Sequence, residues 1–187
     1  GPVGYLVADK VLAYDDNRDL IRDADGQPMT VTREPLPEVL RGNPDRTEAF
    51  IDASRHKWTY RAGVISFAAI DAPTGEQQAK VMDHFEDLAF AGLDPTQYEV
   101  LWVRHTHEDR VKLHFCTPRL ELTSERSLNI APPGYQHAFD SLRDVMNQRH
   151  AWADPMELER VQEVRDTIDP TSPTSACLCK TSVCDTS

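Results

Sequence analysis

Two periods of hydrophobic and polar positions divide the chain. Across residues 74–91 apolar side chains return at Val81, Phe85, Leu88 and Ala89, the spacing of one helix face. Thr74 is placed to cap that helix and Gly92 to end it. The same reasoning predicts a helix over 44–53, opened by Pro44 and carrying Ala49, Phe50 and Ala53. It predicts others over 134–149, with Phe139, Leu142, Val145 and Met146 inward, and over 156–168, and a short helix over 3–9. Strand-like segments occupy 58–68, 98–105 and 110–116. In the last, Val111, Leu113 and Phe115 share one face and Lys112, His114 and Cys116 the other. Residues 121–130 read as a further hairpin and 15–28 as a polar, turn-rich loop. Residues 170–187 are Ser/Thr-rich and aperiodic, too poor in apolar area to offset ordering entropy, and read as a disordered tail. Together these elements predict a two-layer α+β domain, an antiparallel sheet with helices packed on it.

Length and charge narrow this picture. The 187 residues suit one domain with a real core. The net charge of −11 argues against a general nucleic-acid coat, because phosphate binding draws on Lys and Arg. The charge is uneven: residues 101–150 hold 7 Lys/Arg against 6 Asp/Glu, whereas residues 1–50 hold 6 against 10. A local DNA groove therefore remains compatible with the composition. Three of the four Cys, Cys177, Cys179 and Cys184, fall in the tail without the paired spacing of a zinc module. A reduced, cytoplasmic chain without membrane insertion is expected, since the longest mostly apolar run, 64–70, is far too short to span a bilayer.

Chemistry concentrates in one place. Five of the seven His lie between positions 105 and 150, and His105, His107 and His114 fall within ten residues of one another. The polar segment 105–110 joins two strands suited to an antiparallel hairpin. His114 and Lys112 share a strand face, and the hairpin can set His105 beside them. Two His on adjacent strands with a nearby carboxylate form a divalent-metal arrangement; a solvated hairpin with incidental His is the alternative. Segment 55–61 interleaves Arg55, Lys57 and Arg61 with Trp58 and Tyr60, which reads as a single-strand grip or as a sheet edge guarded by cations. Arg104, Arg110, Lys112 and Arg126 are further DNA-binding candidates near the hairpin.

At these residues the chain resembles the MobA-type relaxases of small colicinogenic mobilisable plasmids. Gly1-Pro2-Val3-Gly4-Tyr5-Leu6 is similar to that family's GPVxYL, which carries the nucleophilic tyrosine. Phe50-Ile51-Asp52-Ala53-Ser54, Tyr60 and Gly63-Val64-Ile65-Ser66-Phe67 resemble its LIDAS…Y.SGVLSF. Leu101-Trp102-Val103-Arg104-His105 resembles LWVxH, and Phe115, Pro118, Glu121 and Leu122 fit NFxxPxxEL. Asp140, Asn147 and Asp154-Pro155 sit at matching positions. The likeness covers roughly residues 1–169, which sets the expected domain, with 170–187 as its tail. Relatives carry a short strand and a basic, glycine-rich stretch before this motif, so the opening Gly1-Pro2 reads as a fragment or a tag scar.

The resemblance implies an HUH-like endonuclease fold and a transesterification. In that reaction Tyr5 attacks a phosphate of single-stranded DNA at a transfer origin, leaving a 5′-phosphotyrosyl link and a free 3′-hydroxyl. A divalent metal, Mg²⁺ or Mn²⁺, would assist, and other mobilisation proteins would be further partners. The family triplets H-x6-E-x-N and H-x6-H-x-H fall here on His105, Lys112 and His114. Lys112 departs from both, because an ammonium that carries a proton near neutrality is a poor ligand. Three readings follow: His107, Glu108 or Asp109 substitutes as third ligand, Lys112 contacts the scissile phosphate as a fixed charge, or metal and activity are lost. Rival functions are a decayed DNA-binding module and a metal-dependent nuclease that forms no tyrosine adduct.

Overall fold

A computed structural model describes residues 1–153. The expected helix over 156–168, the tail 170–187, the Asp154-Pro155 match and the three tail cysteines lie outside the described residues.

The chain opens with helix α1 (Pro2–Val7) and a two-stranded antiparallel ribbon, β1 (Lys10–Leu12) with β2 (Thr30–Thr32). Between them lie two similar turns, in which Asp15 Oδ1 accepts from the amides of Asn17 and Asp19, and Asp23 Oδ1 from those of Asp25 and Gln27. The polar loop expected over 15–28 is thus a folded-back ribbon tip with isolated bridges Tyr14–Leu20 and Arg22–Pro28.

Strand β3 (Glu38–Arg41) leads into α2 (Pro44–Ala53), whose bounds match the sequence expectation. The Asn43 side chain accepts from the Arg46 amide at 2.9 Å, and Pro44 opens the helix where no amide donor is needed. Strand β4 (Tyr60–Ser66) and a 3₁₀ turn (Ala69–Asp71) precede α3 (Gly75–Ala89). Thr74 and Gln77 form a reciprocal capping box at its start. Strands β5 (Leu101–His107) and β6 (Arg110–Pro118) form a hairpin, and α4 (Tyr135–His150) closes the described fold.

The main sheet has the order β3-β5-β6-β4 and is antiparallel throughout. Alternation along β5 and β6 sends residues to two different cores. Trp102, Leu113 and Phe115 meet Val81, Met82 and Phe85 of α3 and Phe139 and Met146 of α4. Phe85 packs edge-on against Trp102 at 5.2 Å between ring centroids, and Trp102 Nε1 donates to Glu86 at 2.9 Å. Leu101, Val103 and Cys116 face the other way, onto Val3 and Leu6 of α1 and Ile51 of α2. Helices therefore cover both faces of the sheet, and the two-layer expectation is corrected to three layers. The reason is visible in 101–103, where three consecutive residues are fully buried, as in a strand covered on both sides.

Two further expectations change. Residues 121–130 do not form a hairpin: the Glu121 carboxylate accepts from the Thr123 amide and from the Ser124 amide and hydroxyl, curling the chain into turns with a single bridge, Leu120–Ser127. Val145, expected inward, is 49% exposed, while Phe139 and Met146 form the buried stripe of α4. Among the described residues no helix is long and apolar enough to cross a membrane.

Candidate active site

The β5–β6 hairpin closes through Glu108 and Asp109 at φ 50° and 59°, the left-handed pair of a two-residue primed turn. That turn fixes the register. His105 pairs with Lys112, and Val103 pairs with His114. The period of two then places His105, Lys112 and His114 on the face that carries Leu101, Val103 and Cys116, beneath α1. The rings of His105 and His114 lie 4.4 Å apart at 44°. His105 Nε2 donates to the Leu6 carbonyl at 2.7 Å, since a carbonyl can only accept. This bond ties the hairpin to the residue that follows Tyr5.

Tyr5 itself is 62% exposed at the surface of α1. Arg33, just beyond β2, reaches the same end of α1. Arg33 Nη1 donates to the carbonyls of Tyr5 at 2.9 Å and Ala8 at 3.0 Å, satisfying acceptors at the end of α1. The Arg33 guanidinium carbon lies 4.8 Å from the centroid of the Tyr5 ring. Sequence reasoning passed over Arg33, which sits in a polar stretch and acts on residues 25 to 28 positions earlier.

The electrostatics follow from this packing. Burial pushes the His114 imidazole down to about 3, with the neighbouring His105, Lys112 and Arg33 charges adding to the effect. Burial likewise lowers His105; the bond to Leu6 opposes this, and Arg33 and Lys112 reinforce it. Burial thus favours the neutral form of both imidazoles. Burial pushes the Cys116 thiol up to about 12, so this residue is an inert part of the core.

The donor set falls short of the metal site expected from the sequence. Among the described residues no three His, Cys, Asp or Glu side chains converge where they could hold a metal ion. His107 is exposed, with its ring 3.8 Å from the Glu108 carboxylate, and does not join the pair as a third ligand. Glu108 and Asp109 are exposed in the turn. His105 Nε2 is taken by Leu6, and the position opposite His105 holds a lysine. Mg²⁺ and Mn²⁺ prefer oxygen ligands, and among the described residues no carboxylate completes a set of three ligands with the histidine pair.

The expected DNA-binding residues separate into groups. Arg61 is buried on the opposite face and donates to Asn129, and Arg104 is held by Gln78 and Glu38, so both serve the fold. Arg55 and Lys57 are exposed, but residues 54–59 form a bend before β4 and not a strand. Lys57 lies 5.2 Å from the Trp58 ring centroid. His56 bonds the Glu125 carbonyl at 3.1 Å, which brings this bend beside exposed Arg126. That basic group lies near the Pro118 end of β6, and exposed Arg110 lies at its start, roughly 25 Å away along an extended strand.

The chain is 36% identical over 121 residues to the DNA relaxase MbeA of Escherichia coli, an alignment covering 63% of this chain and 23% of that protein. It is 37% identical over 135 residues to the cryptic plasmid protein C of Neisseria gonorrhoeae, covering 70% of this chain and 64% of that one. The chain belongs to the mobilisation relaxase family. It spans just under two thirds of the length of the gonococcal relative and under a quarter of that of MbeA. No family model matches the chain, and no solved structure matches it.

Proposed function

We propose that this relaxase-family chain nicks one DNA strand by transesterification, with Tyr5 as the nucleophile and single-stranded DNA at a plasmid transfer origin as the substrate. The reading rests on one observation: α1 presents an exposed tyrosine while the next residue is bonded to His105 of the histidine pair. In the reaction the Tyr5 Oη–phosphorus bond forms and the bond from phosphorus to the 3′-oxygen breaks. A proton leaves the phenol and one is taken up by the departing 3′-oxygen. The phosphotyrosyl diester retains the bond energy, so the strand can be rejoined. The chain's own contribution is positional: His105 and Arg33 both bond backbone carbonyls at the end of α1, and Arg33 also lies against the Tyr5 ring. The HUH-like architecture expected from the sequence is part of this proposal; a central antiparallel sheet with the histidines on its two inner strands supports it. Exposed Arg55, Lys57, Arg110 and Arg126 are proposed phosphate contacts along the strand. No step is routed through a divalent metal, because the donor set does not make a site for one.

The test is incubation of the chain with single-stranded oligonucleotides tiled across a candidate transfer origin, in Mg²⁺, in Mn²⁺ and in EDTA. A protein–DNA band that survives denaturant is expected with Tyr5 and absent with Tyr5→Phe. An adduct that persists in Tyr5→Phe removes the assignment.

One observation favours a second reading, a DNA-binding module that no longer nicks: Lys112 occupies the middle position of the family's triplet. DNA binding without an adduct under any of the three conditions would support it.

A further inference from the structure

The cations of the described fold differ in how they are paired. Arg41 is bonded to Asp83 and Glu86, Arg46 to Glu99, Arg104 to Glu38, and Arg143 to Asp140 and Asp144. Lys112 and Arg33 are not paired in this way. Lys112 is half-buried opposite His105 and has no carboxylate partner among the described residues. Arg33 is also half-buried; its described hydrogen bonds go from Nη1 to carbonyl oxygens, and Nε and Nη2 have no protein partner among the described residues. In an acidic protein with net charge −11, two half-buried cations lacking counter-ions at one place mark a site kept for an external anion.

We propose that Lys112 and Arg33 together bind the scissile phosphate at Tyr5, supplying the positive charge that a divalent cation would otherwise bring. This inference rests on the relaxase reading for the identity of the anion. The charges match the reaction: a phosphodiester carries one negative charge, and more develops on its oxygens as the phenol oxygen attacks. Lys112 acts as a point charge on one side, and the guanidinium of Arg33, beside the Tyr5 ring, offers its remaining donors on the other. Both charges are felt at the histidine pair, which places them in one cluster. The same two charges repel a divalent cation, in keeping with the incomplete ligand set.

Two titrations on the whole chain test this. The first is anisotropy of a fluorescein-labelled, mixed-sequence 30-nucleotide single strand in EDTA, in a Tyr5→Phe background that prevents turnover. Binding without metal is expected, weakened about tenfold by Lys112→Ala and by Arg33→Ala and retained in Lys112→Arg. Circular dichroism establishes that each variant is folded. The second is calorimetry with MnCl₂ alone. Lys112→Glu, which turns the cation into a carboxylate ligand, is expected to bind Mn²⁺ at least about tenfold more tightly than the unsubstituted chain. Oligonucleotide binding that requires Mn²⁺, affinity left unchanged by Lys112→Ala and by Arg33→Ala, or tight Mn²⁺ binding that Lys112→Glu does not improve would each overturn the proposal. Absence of a Tyr5 adduct under all conditions would defeat the strand-transfer reading instead, and the two titrations would still decide whether Lys112 and Arg33 form an anion site.

Discussion

The two faces of the β5–β6 hairpin come from the same strands and differ in how far their apolar packing extends. Toward α3 and α4 the strands present Trp102, Leu113 and Phe115, with Val111 partly buried beside them, so packing runs nearly to the turn. Toward α1 and α2 the apolar run of Leu101, Val103 and Cys116 stops, and His105, Lys112 and His114 follow. Helix α1 has only six residues and covers this polar end incompletely. A long helix stripe thus makes one face a core. A short helix makes the other face half core and half site, with its polar groups dry enough to be perturbed and open enough to be reached.

The largest effect should separate the faces by stability. Trp102→Ala removes the indole that packs on Phe85 and Phe115 and donates to Glu86. A loss of about 3–5 kcal/mol is expected in urea unfolding. A loss under about 1 kcal/mol would show that the α3 face is not the main core.

Acid should strike the other face. The folded His114 value of about 3 lies below the ordinary 6.5. As pH falls, the unfolded chain takes this proton first, so stability is full above about pH 6.5 and declines toward pH 3. The slope from this one group is at most about 1.4 kcal/mol per pH unit. His114→Gln should flatten the decline measured by urea midpoints across that window; an unchanged profile would argue that His114 is not buried.

Smaller effects sharpen the contrast. Thr74→Ala removes the cap of α3, and a loss of about 1 kcal/mol is expected in thermal unfolding, with no change in DNA binding. Arg104→Ala, on the α3 side of the hairpin, should alter oligonucleotide affinity by less than about twofold, because its charge is already held by Glu38. A larger loss would place DNA on that face.

Much of this was legible in the sequence where local pattern decides structure. The bounds of α2, the Thr74 cap and the alternation of β6 follow from spacing and capping chemistry within a few residues. The short strands β1, β2 and β3 were not, because most of their residues are exposed and carry no apolar period. At the site, the sharing of one face by Lys112 and His114 was readable, and the hairpin brought His105 to them as expected. Arg33, Arg61 and Arg104 were misjudged or overlooked for one reason: a cation's role depends on its partner, and these partners lie 25 to 68 residues away. Sequence shows where a charge is, and only the fold shows whether it is already neutralised.

The exposed phenol of α1 and the histidine hairpin are proposed to act on one phosphorus. The most direct test is to digest the denaturant-resistant protein–DNA species and map the nucleotide-bearing peptide by mass spectrometry. A 5′-phosphodiester on Tyr5 is expected. A link on Tyr14 or Tyr60, or cleaved DNA with no protein-bound 5′ end, would contradict it.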